Sequence, residues 1–451
     1  MPSEDAGYAV REPSLTTRPL NKAERLLGSL AWVGVLGIWA WVLLRMFRAS
    51  VKLDSGDFKH FYWAAEAMRA GEDVYASGLG GYIYPPTFAW SLQPLVPLGR
   101  VWAERSWGGV NLLLTVTSLY FAFRIVSSRL RDRADWRTLG GVMFLAMLCA
   151  IEPMRWEFEE GQTDTIVLFG FCCALFLLDR VPWLAGAALG LALTVKHQAI
   201  IALPYLLIRR RWASAMSMLA GAVAIAAVPM VTLGPARTMA LLSESYGYMA
   251  HLFTGGGRIE GRNLHPVTWE LSVSVTSAVA RQLETPDGVS MALTLAVSGA
   301  IGLVVLGLTW LIYARFGVPL FRRRSVLLDR AADRAPLVLL EWCGLLVAIL
   351  AFSPQSMNRH SFIMLLVFTL AIYVLIVPRR GVTRWPLAIG LGLYLAARML
   401  PPGEPQFEQA LAWWRSVGGA SWGLLSMWLG LVWTTLSFVR AAERAEPIEQ
   451  A

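Results

Sequence analysis

Long apolar runs are the feature of this chain that most constrains its fold. Four of them cover residues 27–47, 212–233, 289–313 and 422–439. Each approaches the roughly 20 residues that a helix needs to cross the hydrocarbon core of a bilayer. Backbone amides and carbonyls within lipid must pair inside their own segment, so such runs form helices. The runs therefore predict an all-α polytopic membrane protein.

The composition agrees with a membrane protein, because 56% of the 451 residues are hydrophobic and only 16% are charged. The alternating segments of roughly ten residues that mark outer-membrane β-barrels are not visible. The net charge of +9 comes from clusters at the ends of apolar runs, at 129–133, 209–211, 322–324 and 379–380. This placement follows the positive-inside rule and not a basic groove, so the expected partner is the lipid bilayer and not nucleic acid.

The basic clusters, placed inside, give a topology with about twelve transmembrane helices and both termini in the cytoplasm. The predicted spans are 27–47, 107–126, 138–153, 163–180, 182–196, 197–209, 212–233, 289–316, 336–353, 360–377, 385–400 and 419–439. A cytoplasmic tail (1–26) precedes the polytopic region (27–440), and a second tail (441–451) follows it. Outer loops are expected at about 48–82, 154–162, 234–288 and 401–418. The proline-rich segment 83–98 is predicted to be re-entrant or interfacial, and the two short runs around Lys196 to form a broken span or hairpin.

This topology gathers polar residues on the non-cytoplasmic face, with Asp57 in the first outer loop. Apolar residues at 58, 61, 62 and 65 have helical spacing and predict a helix along the membrane surface. Asp57 would begin that helix and either cap it or face a cleft. A carboxylate at a membrane–water boundary could act as the general base for an acceptor hydroxyl. Asp54, three residues earlier, could assist or replace it.

A phosphate leaving group would need cations or helix N-termini near its oxygens. Candidates on the same face are Lys196, His197, Arg258, Arg262, Arg359 and His360. Lys196 ends an otherwise apolar run, and the alternative is that it only snorkels to the interface. His360 opens a predicted span after Ser353-Pro354-Gln355, and the alternative there is a structural role.

The acidic stretch 152–164 could hold a divalent metal, but a solvated loop is the expected structure. No Asp-x-Asp pair is present, which disfavours a soluble nucleotide-sugar donor, and neither a metal nor a cofactor is predicted. Tryptophans near span ends, such as Trp107, indicate an interfacial belt. The four cysteines lie in apolar runs and are expected to be small buried residues.

Four segments together match a pattern known from one enzyme family. They are Asp57-Phe58 with 71–75 and Tyr84-Pro85-Pro86; Gly161-Gln162-Thr163-Asp164; Ala185-Gly186 through Lys196 to Pro204 and Arg210-Arg211-Trp212; and Ser353-Pro354 before His360. In this order and spacing the chain resembles glycosyltransferase family 87, which includes mycobacterial polyprenyl-phosphate-mannose-dependent mannosyltransferases.

The resemblance implies a GT-C fold with its active site at the outer face of the membrane. It implies Asp57 as the catalytic base and Lys196 and His360 in the donor-phosphate region. Gln162 and Tyr84, which lie in matching motifs, and the outer-face Arg258 complete the predicted substrate-binding set. Two positions depart from the family pattern: Asp164 stands in place of Asn, and Arg359 in place of Trp.

The predicted function is an inverting transfer of a hexose, with mannose the favoured sugar. The donor would be a polyprenyl-phosphate sugar and the acceptor a glycolipid or glycan, at the extracytoplasmic side of the cytoplasmic membrane. One alternative is a transporter or flippase of a lipid-linked or anionic solute, which would place charges at mid-membrane and show inverted repeats. Another is a membrane scaffold without catalysis, for which Asp57 would be dispensable.

Overall fold

A computed structural model describes residues 22–51, 56–130, 135–253, 265–269, 272–286, 288–318, 331–354, 356–399 and 405–445. These residues form α-helices joined by short turns, with four 3-10 helices at Ser77–Gly80, Gln93–Leu98, His197–Ile201 and Asn358–Met364. Two isolated β-bridges, Ser272 with Met357 and Thr285 with Gly288, complete the regular structure of the described residues. The all-α prediction is confirmed.

The first ten α-helices run from the start of the described chain to residue 227. They are α1 (Lys22–Ala49), α2 (Phe58–Ala70), α3 (Pro86–Leu92), α4 (Arg100–Arg129), α5 (Trp136–Cys149), α6 (Ile151–Glu159), α7 (Asp164–Leu177), α8 (Pro182–Val195), α9 (Ala202–Ile208) and α10 (Trp212–Ala227). The remaining ones are α11 (Met230–Leu233), α12 (Pro235–Phe253), α13 (Val275–Gln282), α14 (Met291–Arg315), α15 (Ala331–Phe352), α16 (Leu365–Ile376), α17 (Trp385–Met399), α18 (Pro405–Ser416) and α19 (Gly419–Ala445).

Six helical segments of the described chain are long and apolar enough to cross a membrane. A seventh would come from α5 and α6, which are bent by 68° at their junction. Five further apolar helices have 10–17 residues, among them α7 and α8. The chain is therefore a multi-pass membrane protein, and the total of about twelve spans stays a prediction.

The predicted outer loops contain more helix than the sequence indicated. Helix α6 occupies most of 154–162, α12 and α13 lie within 234–288, and α18 fills much of 401–418. The helix predicted after Asp57 is confirmed as α2, whose Phe58 and Phe61 are buried within the protein, and its position along the membrane surface stays a prediction. Segment 83–98 forms only α3 and a 3-10 helix, as the prediction of an incomplete crossing required.

Two apolar cores position the polar residues described below. The larger one lies between helices that include α4, α7, α15 and α16, and it holds the fully buried Trp342 and Phe368. The smaller one is rich in aromatic rings and lies under α2, with Phe61, Tyr82 and Phe88 in edge or tilted contacts. Since Phe58 at the first turn of α2 is 1% exposed, this core fixes the helix end that carries Asp57.

Candidate functional site

A cavity of about 380 Å³ lies where the start of α2, the end of α8, α12 and the segment before α16 meet. Six of the candidate residues from the sequence line it, namely Asp57, Tyr84, Lys196, His197, Arg359 and His360. Its apolar wall is formed by side chains of α8, the following 3-10 helix and α15, namely Leu193, Ile200, Ile201, Ile349 and Phe352. Another predicted residue, Gln162, contacts Asp57 directly. Arg258, like Asp54 and Arg262, lies outside the described residues.

Asp57 faces this cavity instead of capping α2. It occupies the N-cap position, but its side chain makes no capping hydrogen bond. The helix start is held from the other side, because the backbone N–H groups of Asp57 and Phe58 both donate to the carbonyl of Glu160, at 3.0 and 2.9 Å. The carboxylate is therefore available to a ligand, and capping does not explain this aspartate.

Two side chains fix the orientation of the Asp57 carboxylate through one oxygen. Gln162 Nε2 donates to Asp57 Oδ2, and Arg359 Nη1 lies 2.9 Å from the same atom. In the described part of the chain, Oδ1 has no such partner. A carboxylate held at one oxygen and open at the other has the geometry of a general base.

Gln162 is placed by a turn that α4 holds in position. Gly161 has a φ of +65°, and a Cβ there would lie 2.7 Å from Phe58 Cβ, so the turn needs glycine. Trp107 Nε1 donates to the Gly161 carbonyl at 2.9 Å, and Asn111 Nδ2 donates to the Gln162 carbonyl at 3.0 Å. Trp107 is 6% exposed, so its assignment to an interfacial belt is wrong. The sequence signal for the role of Trp107 and Asn111 was that their polar groups lie four residues apart, on one face of an apolar helix.

Lys196 is buried in an ion pair and does not snorkel. Helix α8 ends at Val195 and Lys196 is extended, which turns its side chain towards the first residue of α7. Its Nζ lies 2.6 Å from Asp164 Oδ1, and the two side chains are 10% and 2% exposed. Two charges so far from water require each other. Asp164, which stands where the family pattern has Asn, therefore has its charge balanced by Lys196 in this chain.

The acidic stretch before α7 is largely buried, contrary to the expected solvated loop. Glu157 is fully buried and accepts the backbone N–H of Thr165 at 2.9 Å. Burial raises the pKa of Glu160 and is the main cause of the shift. The nearby Asp57 carboxylate raises it further. The expectation failed because α6 packs against α1 and the 3-10 helix Asn358–Met364, and burial follows from that packing and not from local polarity. Among the described residues, no group of three or more His, Cys, Asp or Glu is arranged to hold a metal.

His360 and Arg359 sit on a segment that α13 holds in place. Val273 N–H donates to the Ser356 carbonyl at 2.6 Å, and Ser277 Oγ donates to the Pro354 carbonyl at 2.9 Å. The 3-10 helix Asn358–Met364 begins directly afterwards and exposes both basic residues to the cavity. His360 thus lies in the site and is not only a helix-end residue.

Tyr84 lines the cavity and is held by hydrogen bonds from two separate segments. Its hydroxyl accepts a hydrogen bond from Thr163 Oγ1 at 3.2 Å, and its backbone carbonyl accepts one from Tyr75 at 3.1 Å. The cavity also contacts Ser245 and His265, which the sequence had not singled out. The site therefore combines an oriented carboxylate, cationic and imidazole groups, hydroxyls and a long apolar wall.

Comparisons with known proteins identify the family. The family model described as glycosyltransferase family 87 matches residues 82–328. A protein of Mycobacterium tuberculosis named polyprenol-phosphate-mannose-dependent alpha-(1-2)-phosphatidylinositol pentamannoside mannosyltransferase is 25% identical over 371 residues, which are 80% of this chain and 74% of that protein. A polyprenol-phosphate-mannose-dependent alpha-(1-2)-phosphatidylinositol mannoside mannosyltransferase of Mycolicibacterium smegmatis is 26% identical over 41% of this chain and 43% of its own length.

Among solved structures, the crystal structure of ArnT from Cupriavidus metallidurans in the apo state overlaps 91% of this chain and 78% of that one. The overlap is loose, with a TM-score of 0.40 and 15% sequence identity. The family model, by contrast, covers more than half of the chain, including Tyr84, Gln162 and Lys196. The chain therefore belongs to glycosyltransferase family 87 and is a glycosyltransferase built on membrane-spanning helices.

Proposed function

We propose that this enzyme transfers a hexose, with mannose the favoured sugar, from a polyprenyl-phosphate donor to a lipid-linked or glycan acceptor. The names of its mycobacterial relatives support the donor class. The observation that carries the proposal is the carboxylate of Asp57, held at one oxygen by Gln162 and Arg359 within a cavity that also contains Lys196 and His360.

In the proposed reaction Asp57 accepts the proton of the acceptor hydroxyl. The acceptor oxygen forms its bond to the anomeric carbon from the side opposite the phosphate. The bond from that carbon to the phosphate oxygen breaks, and its electron pair leaves with polyprenyl phosphate, so the configuration inverts. Lys196 and His360 lie where they can bind the phosphate, and Gln162 and Tyr84 orient the carboxylate and the substrates.

The apolar wall of the cavity suits a prenyl chain. Leu193, Ile200 and Phe352 bring the surfaces of three separate helical segments to one side of the cavity. A polyprenyl chain that leaves the bilayer between these segments would keep its methylenes out of water, at about 0.8 kcal/mol for each buried CH₂. The phosphate would then meet the polar end of the cavity.

We place the site at the outer face of the cytoplasmic membrane. Helix α7 begins at Asp164 beside the cavity and spans roughly 21 Å over its 14 residues at 1.5 Å per residue. Just beyond its other end, Asp179 forms ion pairs with Arg129 and Arg211. Those arginines belong to clusters that the positive-inside rule assigns to the cytoplasm, which supports a site on the opposite side and an overall architecture of the GT-C type.

Asp57→Asn tests the proposed base directly. Membranes that contain matched amounts of folded wild type or variant would receive radiolabelled polyprenyl-phosphate mannose and a host lipid extract. We expect label to move into new lipid or polymer with the wild type and transfer to fall at least about 100-fold in Asp57→Asn, since general base catalysis contributes roughly 10²–10⁴-fold.

Asp73→Asn is the matched control for this experiment. Asp73 lies in the same region of the chain, is exposed, and accepts the N–H of Tyr75 at 2.9 Å, a bond that an asparagine oxygen retains. This variant should transfer label as the wild type does.

Equal transfer by wild type and Asp57→Asn would remove Asp57 from the mechanism. Absence of transfer by the wild type, across several polyprenyl-phosphate sugars, would overturn the donor class. Membership of a glycosyltransferase family already favours an enzyme over the transporter and scaffold alternatives.

A further inference from the structure

Arg359 contacts the proposed base and also lines the cavity. Its Nη1 is 2.9 Å from Asp57 Oδ2, its side chain is only 23% exposed, and it lines the same cavity as Lys196 and His360. Its Nε is buried and has no hydrogen-bond partner in the described part of the chain. A guanidinium carries five N–H donors in a planar fork, so contact with Asp57 leaves donors for a second anion.

The two acid–base pairs differ in what the reaction does to them. Asp164 faces Lys196 and takes no part in the proposed proton transfer, so that pair stays neutral throughout. Asp57 accepts a proton and loses its negative charge, which leaves Arg359 without its counter-ion. In the same step the phosphodiester, with one negative charge, becomes a phosphate monoester that gains a second one. Negative charge thus disappears at one neighbour of Arg359 and appears on the leaving group.

We propose that Arg359 is a cation shared in sequence by the Asp57 carboxylate and the departing polyprenyl phosphate. Before the transfer its guanidinium pairs with Asp57 and holds the open oxygen of that carboxylate towards the acceptor. As Asp57 takes the proton, the guanidinium pairs with the phosphate oxygen that receives the electrons of the broken bond. The negative charge that Asp57 loses is then the charge that the phosphate gains, so the net charge of the cavity does not change during the transfer.

The segment that carries Arg359 is built to hold it steady. It begins at Met357, which bridges to Ser272, and Thr276 Oγ1 donates to the Phe352 carbonyl at 3.0 Å just before it. Because these contacts hold the backbone just before Arg359, the exchange of partners needs only a rotation of the guanidinium. A preorganised cation of this kind stabilises charge as it develops without a reorganisation cost.

Binding of the product tests this inference, which rests on the proposed donor class. The probe is undecaprenyl phosphate, titrated by calorimetry into the detergent-solubilised protein, with undecaprenol as the uncharged comparison. Asp57→Asn imitates the protonated base and releases Arg359, so it should bind the phosphate about tenfold more tightly than the wild type. Arg359→Gln should bind it about tenfold more weakly, and Asp57→Asn/Arg359→Gln should show no gain over Arg359→Gln alone.

Several outcomes separate this inference from the proposed function. If the wild type binds undecaprenyl phosphate no better than undecaprenol, the donor class itself is wrong. If the phosphate is preferred but Asp57→Asn gains no affinity, or keeps its gain without Arg359, only the shared-cation role is wrong. Should Arg359→Gln fail to fold, Arg359→Lys keeps the charge and must preserve the gain produced by Asp57→Asn. Arg155→Gln, which breaks a half-buried pair with Glu152 on α6, should leave every affinity unchanged.

Discussion

The Lys196–Asp164 pair shows how strongly single side chains depend on one another beside this cavity. Asp164 is 2% exposed and its Oδ2 has no hydrogen-bond partner among the described residues. A carboxylate in that position would be uncompensated without the ammonium group 2.6 Å from its other oxygen. Loss of one partner from a buried pair is therefore far more costly than loss of the pair as a whole.

Lys196→Met should lower the free energy of unfolding by about 3–5 kcal/mol, because it strands the buried Asp164 charge. The double variant Lys196→Met/Asp164→Asn should recover most of this loss, and thermal unfolding in detergent measures both. Arg155→Met is the control, since its pair with Glu152 is more open to water, at 24% and 43% exposure, and a pair near the surface contributes only about 0–1 kcal/mol. Equal destabilisation by Lys196→Met and Arg155→Met would show that burial of the Lys196–Asp164 pair does not increase its contribution to the free energy of unfolding.

At the level of secondary-structure elements, the close approach of α8 to α10 fixes where Lys196 emerges. Gly186 and Gly190 lie four residues apart on α8, the small-xxx-small spacing that lets helix backbones touch in membranes. A Cβ on Gly186 would lie 2.1 Å from the Ser214 carbonyl oxygen, and one on Gly190 would lie 2.7 Å from the Met218 carbonyl oxygen. Since backbone atoms cannot rotate away, even one methyl group must push the two helices apart.

Gly190→Ala should therefore destabilise the protein by about 1–3 kcal/mol, as overpacked sites do, although alanine is the better helix former. We also expect weaker donor binding, since Lys196 follows α8 directly. Gly299→Ala on α14, where nothing lies within 4 Å of the added Cβ, should be neutral or slightly stabilising. Melting temperatures of the two variants in one detergent decide the matter, and a higher value for Gly190→Ala would exclude the proposed close contact.

For the molecule as a whole, the distribution of charge gives the orientation in the membrane. Glu72 follows α2 in the same predicted outer loop as Asp57, whereas Arg380 lies in the turn between α16 and α17 among the basic clusters. Both side chains are exposed. The positive-inside rule places the second in the cytoplasm and the proposed topology places the first outside.

Labelling of introduced cysteines tests this orientation. In a background without the four native cysteines, Glu72→Cys should react with a membrane-impermeant maleimide on intact spheroplasts. Arg380→Cys should react only after the membrane is permeabilised. The reverse pattern would invert the topology and move the cavity to the cytoplasmic face.

The sequence by itself determined the features that depend on local composition. Apolar runs of sufficient length specified helices, since an unpaired backbone is not tolerated in lipid. The spacing of apolar residues after Asp57 specified α2, and the order of short motifs from Asp57 to His360 indicated the family. These inferences hold because hydropathy and helical periodicity are properties of neighbouring residues.

Only the tertiary structure decided which residues act together. It decided between a helix cap and an oriented carboxylate for Asp57, by bringing in Gln162 and Arg359 from two distant segments. It also buried Glu157 and paired Lys196 with Asp164, where local polarity had predicted a solvated loop and left a snorkelling lysine as an alternative. Burial and pairing depend on how helices far apart in the chain pack, and neither hydropathy nor spacing within one segment contains that information.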